Sequence, residues 1–285
     1  MSQAISIPDL IAAKGQRKLS VLTAYDYPTA LLLDKNQLDM ILVGDSLAMV
    51  VLGHKDTVSV GMWEMLHHTK AVTRAVKRSL VVADMPFLSY QTSSEEAVLN
   101  AGTFLKEGGA QAVKLEGGLN ILPQVQAIVR AGIPVQGHIG LTPQSAGQLG
   151  GFKVQGKKAE SGRKLIEDAQ ALSEAGCFSL VLEAIPAELA ARITESIPIP
   201  TIGIGAGPWC DGQVLVFHDL VGLFERFVPK FVKQYANISQ TIEQAVNQFR
   251  QEVANGSFPS SEHSFSISPD ELKKIDKLLQ SDNNE

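Results

Sequence analysis

Four acids in this chain each close a short apolar run: Asp45 after LVG, Asp84 after VVA, Glu116 after VKL and Glu183 after LVL. Such runs read as strands, and where all strands are parallel their C-terminal ends lie on one rim. The four carboxylates then converge. Several carboxylates a few ångströms apart do not all stay ionised unless a cation neutralises them or some take up protons. A hard divalent ion answers this, and Mg²⁺ suits the set because it takes few protein carboxylates and keeps water and substrate oxygens in its octahedral shell. No His-Cys cluster competes for a softer metal. A lone acid at a strand end is more often solvated or caps a helix; four in one register point to chemistry.

An ion held between the 2-oxo and carboxylate oxygens of an α-keto acid would stabilise an enolate and ease removal of the proton at C3. The fourth acid is then free to act as base. Glu183 fits that role, because its apolar strand favours desolvation and hence a raised pKa. Lys114 lies two residues before Glu116, so strand alternation puts both on one face, where the lysine pairs with a substrate carboxylate or with a neighbouring acid. His138 ends the run PVQGH on the same rim and is expected to touch substrate. Ser46, directly after Asp45, offers a hydroxyl and a backbone N–H to a carboxylate. His67 and His68 fit a helical surface, and His54 and His218 receive no role.

The elements that must position these groups alternate. Between about residues 20 and 220, eight apolar runs, SVLTAYD (20–26), MILVGDS (40–46), LVVADMP (80–86), AVKLEGG (112–118), PVQGHIG (134–140), SLVLEA (179–184), PTIGIGAG (200–207) and QVLVFHD (213–219), are separated by longer amphipathic stretches. Repeated βα units predict a parallel sheet, and eight is the number of a (β/α)₈ TIM barrel. A doubly wound open sheet stays possible, because periodicity does not report closure. Met65, Thr69, Val72 and Val76 recur at helical spacing, as do Val98, Ala101 and Leu105. Ser93 with Glu96 matches a capping box, and Gly108, Gly132 and Gly176 fall at expected left-handed C-caps. Leu47 to Met62 and Leu141 to Ser161 read as long loops, the second a candidate lid because of Gly147, Gly150, Gly151 and Gly156. GIGAG, with Gly203, Gly205 and Gly207, fails the dinucleotide fingerprint at Pro208 and reads as close backbone packing. An N-terminal helical segment and extra C-terminal helices complete a single domain over 1–268, followed by a polar tail, 269–285.

Composition narrows the partners. The 285 residues are 45% hydrophobic and 19% charged, with a formal charge of −5, so no broad basic field offers itself to nucleic acid or an anionic membrane. The expected partner is a small molecule. Cys177 and Cys210 lack metal-site spacing and read as buried apolar filler in a reducing compartment. The first 16 residues show no cationic start followed by an apolar stretch, and no run of about 18 apolar residues occurs, which together place the chain in the cytoplasm.

The stretches LTAYDYPTA (22–30), VGDSLAMVVLG (43–53), VADMPFLSYQ (82–91), VKLEGG (113–118), GIPVQGHIGLTPQ (132–144), LVLEAIP (180–186) and GIGAGPWCDGQVLVFHDLVGL (203–223) together resemble the 3-methyl-2-oxobutanoate (ketopantoate) hydroxymethyltransferase family. The resemblance runs to EHSF near residue 265. It implies transfer of the methylene of 5,10-methylenetetrahydrofolate to 3-methyl-2-oxobutanoate, giving 2-dehydropantoate and tetrahydrofolate in pantothenate and coenzyme A biosynthesis. It implies one Mg²⁺ per subunit on Asp45, Asp84 and Glu116, keto-acid contacts at Ser46, Asp84, Lys114 and His138, and Glu183 as proton acceptor. A homodecamer is also implied. Ala48 stands where many relatives carry glycine, DLVGLFERF varies in detail, and nothing transfers to the tail after Ser268. An oxo-acid lyase or mutase of the phosphoenolpyruvate mutase and isocitrate lyase type is the alternative enzyme reading. Those enzymes commonly carry a reactive cysteine on a mobile loop, where this chain has none. A catalytically silent barrel is the non-enzyme reading, against which the intact set of acids stands.

Overall fold

A computed structural model describes residues 4–149, 151 and 153–282. Eight strands, β1 (Leu19–Thr23), β2 (Met40–Val43), β3 (Leu80–Asp84), β4 (Ala112–Glu116), β5 (Val135–Gly140), β6 (Ser179–Glu183), β7 (Thr201–Ile204) and β8 (Gly212–Leu215), pair in sequence order, all parallel. Strand β1 also pairs with β8, Leu19 opposite Gly212 and Val21 opposite Val214, which closes the barrel and removes the open-sheet alternative. The helices are α1 (Ile7–Ala12), α2 (Tyr27–Lys35), α3 (Leu47–Val50), α4 (Met62–Ala75), α5 (Ser94–Lys106), α6 (Leu122–Arg130), α7 (Ala146–Leu149), α8 (Ala159–Glu174), α9 (Ala187–Ser196), α10 (Phe217–Leu220), α11 (Ile238–Asn255) and α12 (Pro269–Asp282).

Strand parity decides what enters the barrel. Leu80 and Val82 of β3, Ala112 of β4 and Val181 of β6 join Leu19, Met40, Leu42 and Ile202 in an interior cluster with Leu10 of α1, while Val81, Ala83, Val113, Leu115, Leu180 and Leu182 pack outward with the helices. Each fully buried aliphatic side chain contributes roughly 1.5–3 kcal/mol. A charge at Val82 would break the interior layer, having no partner there. Continuing the inward parity by two residues places Asp84, Lys114, Glu116, His138 and Glu183 at the C-terminal mouth.

Local signals hold with small shifts. Ser93 Oγ accepts from Glu96 N at 3.1 Å, but the Glu96 carboxylate bonds Thr92 instead of returning to the cap, so only half of the box forms. Gly132 and Gly176 adopt the expected positive φ; after α5 it is Gly109, at φ 74°, rather than Gly108. The eighth run leaves the sheet at Leu215, because Phe217 N donates to Thr23 Oγ1 at 3.0 Å and starts α10. At Gly203 an added Cβ would meet Cys210 Sγ at 2.9 Å, the close approach expected of GIGAG. Of the two long loops, the first opens with α3 and the second contains a 3₁₀ turn, Pro143–Ser145, and α7; Gly150 of the second lies outside the described residues.

Chain contacts divide the molecule into Met1–Ala236, which holds the barrel, and Asn237–Glu285, a division earlier than the 268/269 boundary drawn from the sequence. The second unit contains α11 and α12, so the stretch expected as a polar tail carries a helix. Asn237 caps α11, its Oδ1 accepting from Gln240 N at 3.4 Å, and Gly256 ends it in the left-handed conformation at φ 74°. No helix among the described residues is long and apolar enough to cross a membrane.

Candidate active site

Register makes the rim residues neighbours: Asp84 is paired with Lys114, Glu116 with His138, and Gly140 with Glu183 across adjacent strands. Asp45 and Ser46 follow β2 in the turn into α3, and Asp45 N donates to Asp84 Oδ2 at 3.0 Å. Asp45, Ser46, Asp84, Lys114, Glu116, His138 and Glu183 all line one cavity of about 670 Å³. Every residue singled out from the sequence as a site candidate is therefore brought to one place.

The floor is dry and ionic. Asp45, Asp84, Lys114, Glu116 and His138 are only 2–5% exposed. Lys114 Nζ stands 2.7 Å from Asp84 Oδ1 and 3.8 Å from Glu116 Oε1. His138 lies between two acids, with Nδ1 3.3 Å from Glu116 Oε1 and Nε2 3.2 Å from Glu183 Oε2, though Nε2 makes no aligned hydrogen bond. Burial raises the Asp45 carboxyl well above its ordinary range, and the charges of Asp84 and Glu116 push it the same way. Burial also raises Asp84, with Lys114 offsetting part of the effect. For Glu116 burial is outweighed by His138 and Lys114 and by the Gln144 N–H, which hold it low. Lys114 is raised against its own desolvation by Asp84, Glu116 and Asp45. His138 reaches about 9: burial and Lys114, 3.2 Å from its Nδ1, oppose the charge, but Glu116 and Glu183 prevail. The apolar setting expected for Glu183 is not what surrounds it. Its side chain is 15% exposed and faces the His138 imidazole.

The donor set fits a magnesium ion in part. Asp84 Oδ1 is buried and, although Lys114 is close, accepts no aligned hydrogen bond, which leaves a lone pair for an oxygen-seeking cation. Four acids on the rim face two cations, Lys114 and His138, so ionising all four would leave negative charge in excess, which a divalent ion would relieve. Glu116 is already engaged, with Oε2 accepting from Gln144 N at 3.0 Å and Oε1 facing His138. Among the described residues no group of three or more His, Cys, Asp or Glu is arranged to hold a metal.

Three residues that the sequence did not single out complete the network. Gln144 Nε2 donates to Asp45 Oδ2 at 2.9 Å and to Met85 O at 3.0 Å, while its Oε1 accepts from Tyr90 OH at 2.8 Å. Tyr25 OH and Ser46 Oγ are 2.8 Å apart. No spacing signal marks Gln144: it comes from a loop and reaches the rim only through the fold. His68, expected at the surface, bonds Tyr25 O through Nδ1 at 2.6 Å. Cys177 and Cys210 are buried and free, and burial pushes the Cys177 thiol up to about 12, so neither offers a thiolate.

An all-parallel closed barrel with buried acids, a lysine and a histidine at the C-terminal mouth defines a (β/α)₈-barrel enzyme. The chain belongs to the ketopantoate hydroxymethyltransferase family, whose profile matches residues 4–261. It is 66% identical to the 3-methyl-2-oxobutanoate hydroxymethyltransferase of Syntrophobacter fumaroxidans over 278 residues, 98% of this chain and 99% of that one. To the enzyme of the same name from Moorella thermoacetica it is 63% identical over 262 residues, 92% and 97% of the two chains. A solved phosphonopyruvate hydrolase, in complex with oxalate and Mg²⁺, superposes with a TM-score of 0.59 at 13% identity, over 97% of each chain, a likeness of fold.

Proposed function

We propose that the chain catalyses the reaction of 3-methyl-2-oxobutanoate, 5,10-methylenetetrahydrofolate and water to give 2-dehydropantoate and tetrahydrofolate, in pantothenate and coenzyme A biosynthesis. The observation that carries the reading is an intact rim of acids, lysine and histidine in a chain whose family bears that activity in its name. The lyase and mutase alternative shares only the fold.

Asp45, Asp84 and Glu116 are the residues that would hold Mg²⁺, and the contacts of Glu116 to Gln144 N and His138 Nδ1 would orient its carboxylate for that role. When bound, Mg²⁺ polarises the 2-oxo group of the keto acid and lowers the cost of losing the C3 proton. Lys114 and Ser46 bind the carboxylate and oxo oxygens, and Asp84 orients Lys114 for this through their 2.7 Å ion pair. His138, charged up to about pH 9, is no proton acceptor at neutral pH and instead fixes Glu116 and Glu183 while touching substrate. That leaves Glu183, the acid with an open face to the cavity, to take the proton at C3. The resulting nucleophilic C3 attacks the folate methylene carbon, forming the new C–C bond; that carbon's bonds to N5 and N10 both break, one nitrogen taking up the proton removed from C3 and the other a proton from water, whose hydroxyl ends on the transferred carbon.

We place the protein in the cytoplasm as a homo-oligomer, a decamer by family resemblance. Exposed Ile242, Val246, Phe249 and Val253 make an apolar stripe along α11 that supports a subunit contact. The test of function is C3 proton exchange of 3-methyl-2-oxobutanoate in D₂O, followed by NMR with and without Mg²⁺, together with 2-dehydropantoate formation from methylenetetrahydrofolate. Metal-dependent exchange and folate-dependent product are expected; a metal-replete protein that does neither overturns the assignment.

A further inference from the structure

The cavity at the barrel mouth exceeds what a five-carbon keto acid needs, since about 670 Å³ lies within the range that encloses drug-sized ligands. Two of its lining groups are polar, buried and unused by the chemistry above. Asp219, on α10, is 7% exposed, and its carboxylate makes no hydrogen bond or ion pair among the described residues. Thr57, between α3 and α4, is 3% exposed and its Oγ1 has no hydrogen-bond partner. Asp219 and Thr57 both line the cavity, and polar groups there that no protein group completes are the ones a ligand can use. Burial alone pushes the Asp219 carboxyl up to about 6, the mark of a charge without compensation.

The chemistry of the pair narrows the ligand. A carboxylate with both oxygens free matches two N–H donors side by side in a plane, as on an aminopyrimidinone edge where a ring N–H neighbours an exocyclic amino group. A threonine hydroxyl on the same cavity wall can donate to a ring heteroatom or accept from a ring N–H. Lys55, Arg226 and Lys230 line the same cavity and are exposed, so positive charge gathers where an otherwise acidic pocket meets solvent. Arg226 is fixed there by Nη1, 3.2 Å from Gly53 O. A molecule with a heterocyclic N–H edge at one end and carboxylates at the other suits both features.

We propose that Asp219, with Thr57, binds the aminopyrimidinone edge of the pterin of 5,10-methylenetetrahydrofolate, and that Lys55, Arg226 and Lys230 face its glutamate carboxylates. The assignment rests on the folate-dependent reading above. Its test is titration of the full-length, Mg²⁺-loaded protein with tetrahydrofolate and with 2-desamino-tetrahydrofolate, which lacks one of the two donors. The wild type is expected to prefer tetrahydrofolate at least tenfold. Asp219→Asn should bind tetrahydrofolate at least tenfold more weakly and discriminate less than threefold, with the keto-acid dissociation constant within twofold. Thr57→Val, an isosteric change, should weaken tetrahydrofolate about threefold and leave keto-acid binding alone. Retained discrimination in Asp219→Asn, or an equal loss of keto-acid affinity, overturns the proposal. A wild type that binds no tetrahydrofolate overturns the folate-dependent reading itself, and this proposal with it.

Discussion

Lys114 Nζ lies 2.7 Å from Asp84 Oδ1, an ion pair between adjacent strands at the floor of the barrel mouth, with both side chains almost wholly buried. One lysine thus tempers several acids at once, because Glu116 Oε1 is 3.8 Å from the same nitrogen. Breaking a buried pair by removing one partner typically costs about 3–5 kcal/mol, so the site holds its charges together and cannot be altered piecemeal.

Glu183→Gln removes the proton acceptor while keeping the shape and the neighbour at His138 Nε2. C3 proton exchange is expected to fall by about 10²–10⁴-fold, the usual worth of general base catalysis. Metal-dependent keto-acid binding, read by calorimetry, should stay within a few-fold. Exchange at the wild-type rate would assign the base elsewhere.

Gln144→Ala deletes the donor that holds Asp45 Oδ2 and loosens Tyr90. Partners that orient metal ligands are commonly worth about 10–100-fold in metal affinity. The Mg²⁺ concentration needed for half-maximal proton exchange should rise by that order, and an unchanged Mg²⁺ dependence would show that Asp45 needs no such support.

His138 contributes a pH-dependent share of stability. Its folded pKa is raised from 6.5 to about 9, so the contribution is fully present below about pH 6.5 and is lost as pH rises through about 9. At about 1.4 kcal/mol per unit the share is roughly 3 kcal/mol. Urea unfolding in EDTA should therefore show His138→Gln furthest below wild type at pH 6, with the gap closing by pH 10. A gap constant over that range contradicts a protonated imidazole between Glu116 and Glu183.

Asp219 carries the opposite sign. Its carboxyl is raised from 3.8 to about 6, so the penalty is absent below pH 3.8, grows as pH rises through 6 and is complete above it. Asp219→Asn is expected to match wild type near pH 4 and to be about 1–2 kcal/mol more stable at pH 8, a few degrees in Tm. Thermal melts at the two pH values decide it; equal melting at pH 8 means the carboxylate is compensated.

The sequence by itself determined the strands, their parallel sense and the rim identities. Runs ending in Asp45, Asp84, Glu116 and Glu183 carry the strand period and the acid in one stretch, so local pattern sufficed. Tertiary structure alone decided three things. Closure is one, because the β1–β8 pairing joins residues nearly the whole barrel apart in sequence. A second is the reach of Gln144 from a loop to Asp45, 99 residues away, which no periodicity encodes. The third is the setting of Glu183: its strand is apolar, yet its surroundings came from His138 on the neighbouring strand and from the open cavity. A side chain's type is fixed by the chain, but its charge depends on what other strands and loops place within a few ångströms.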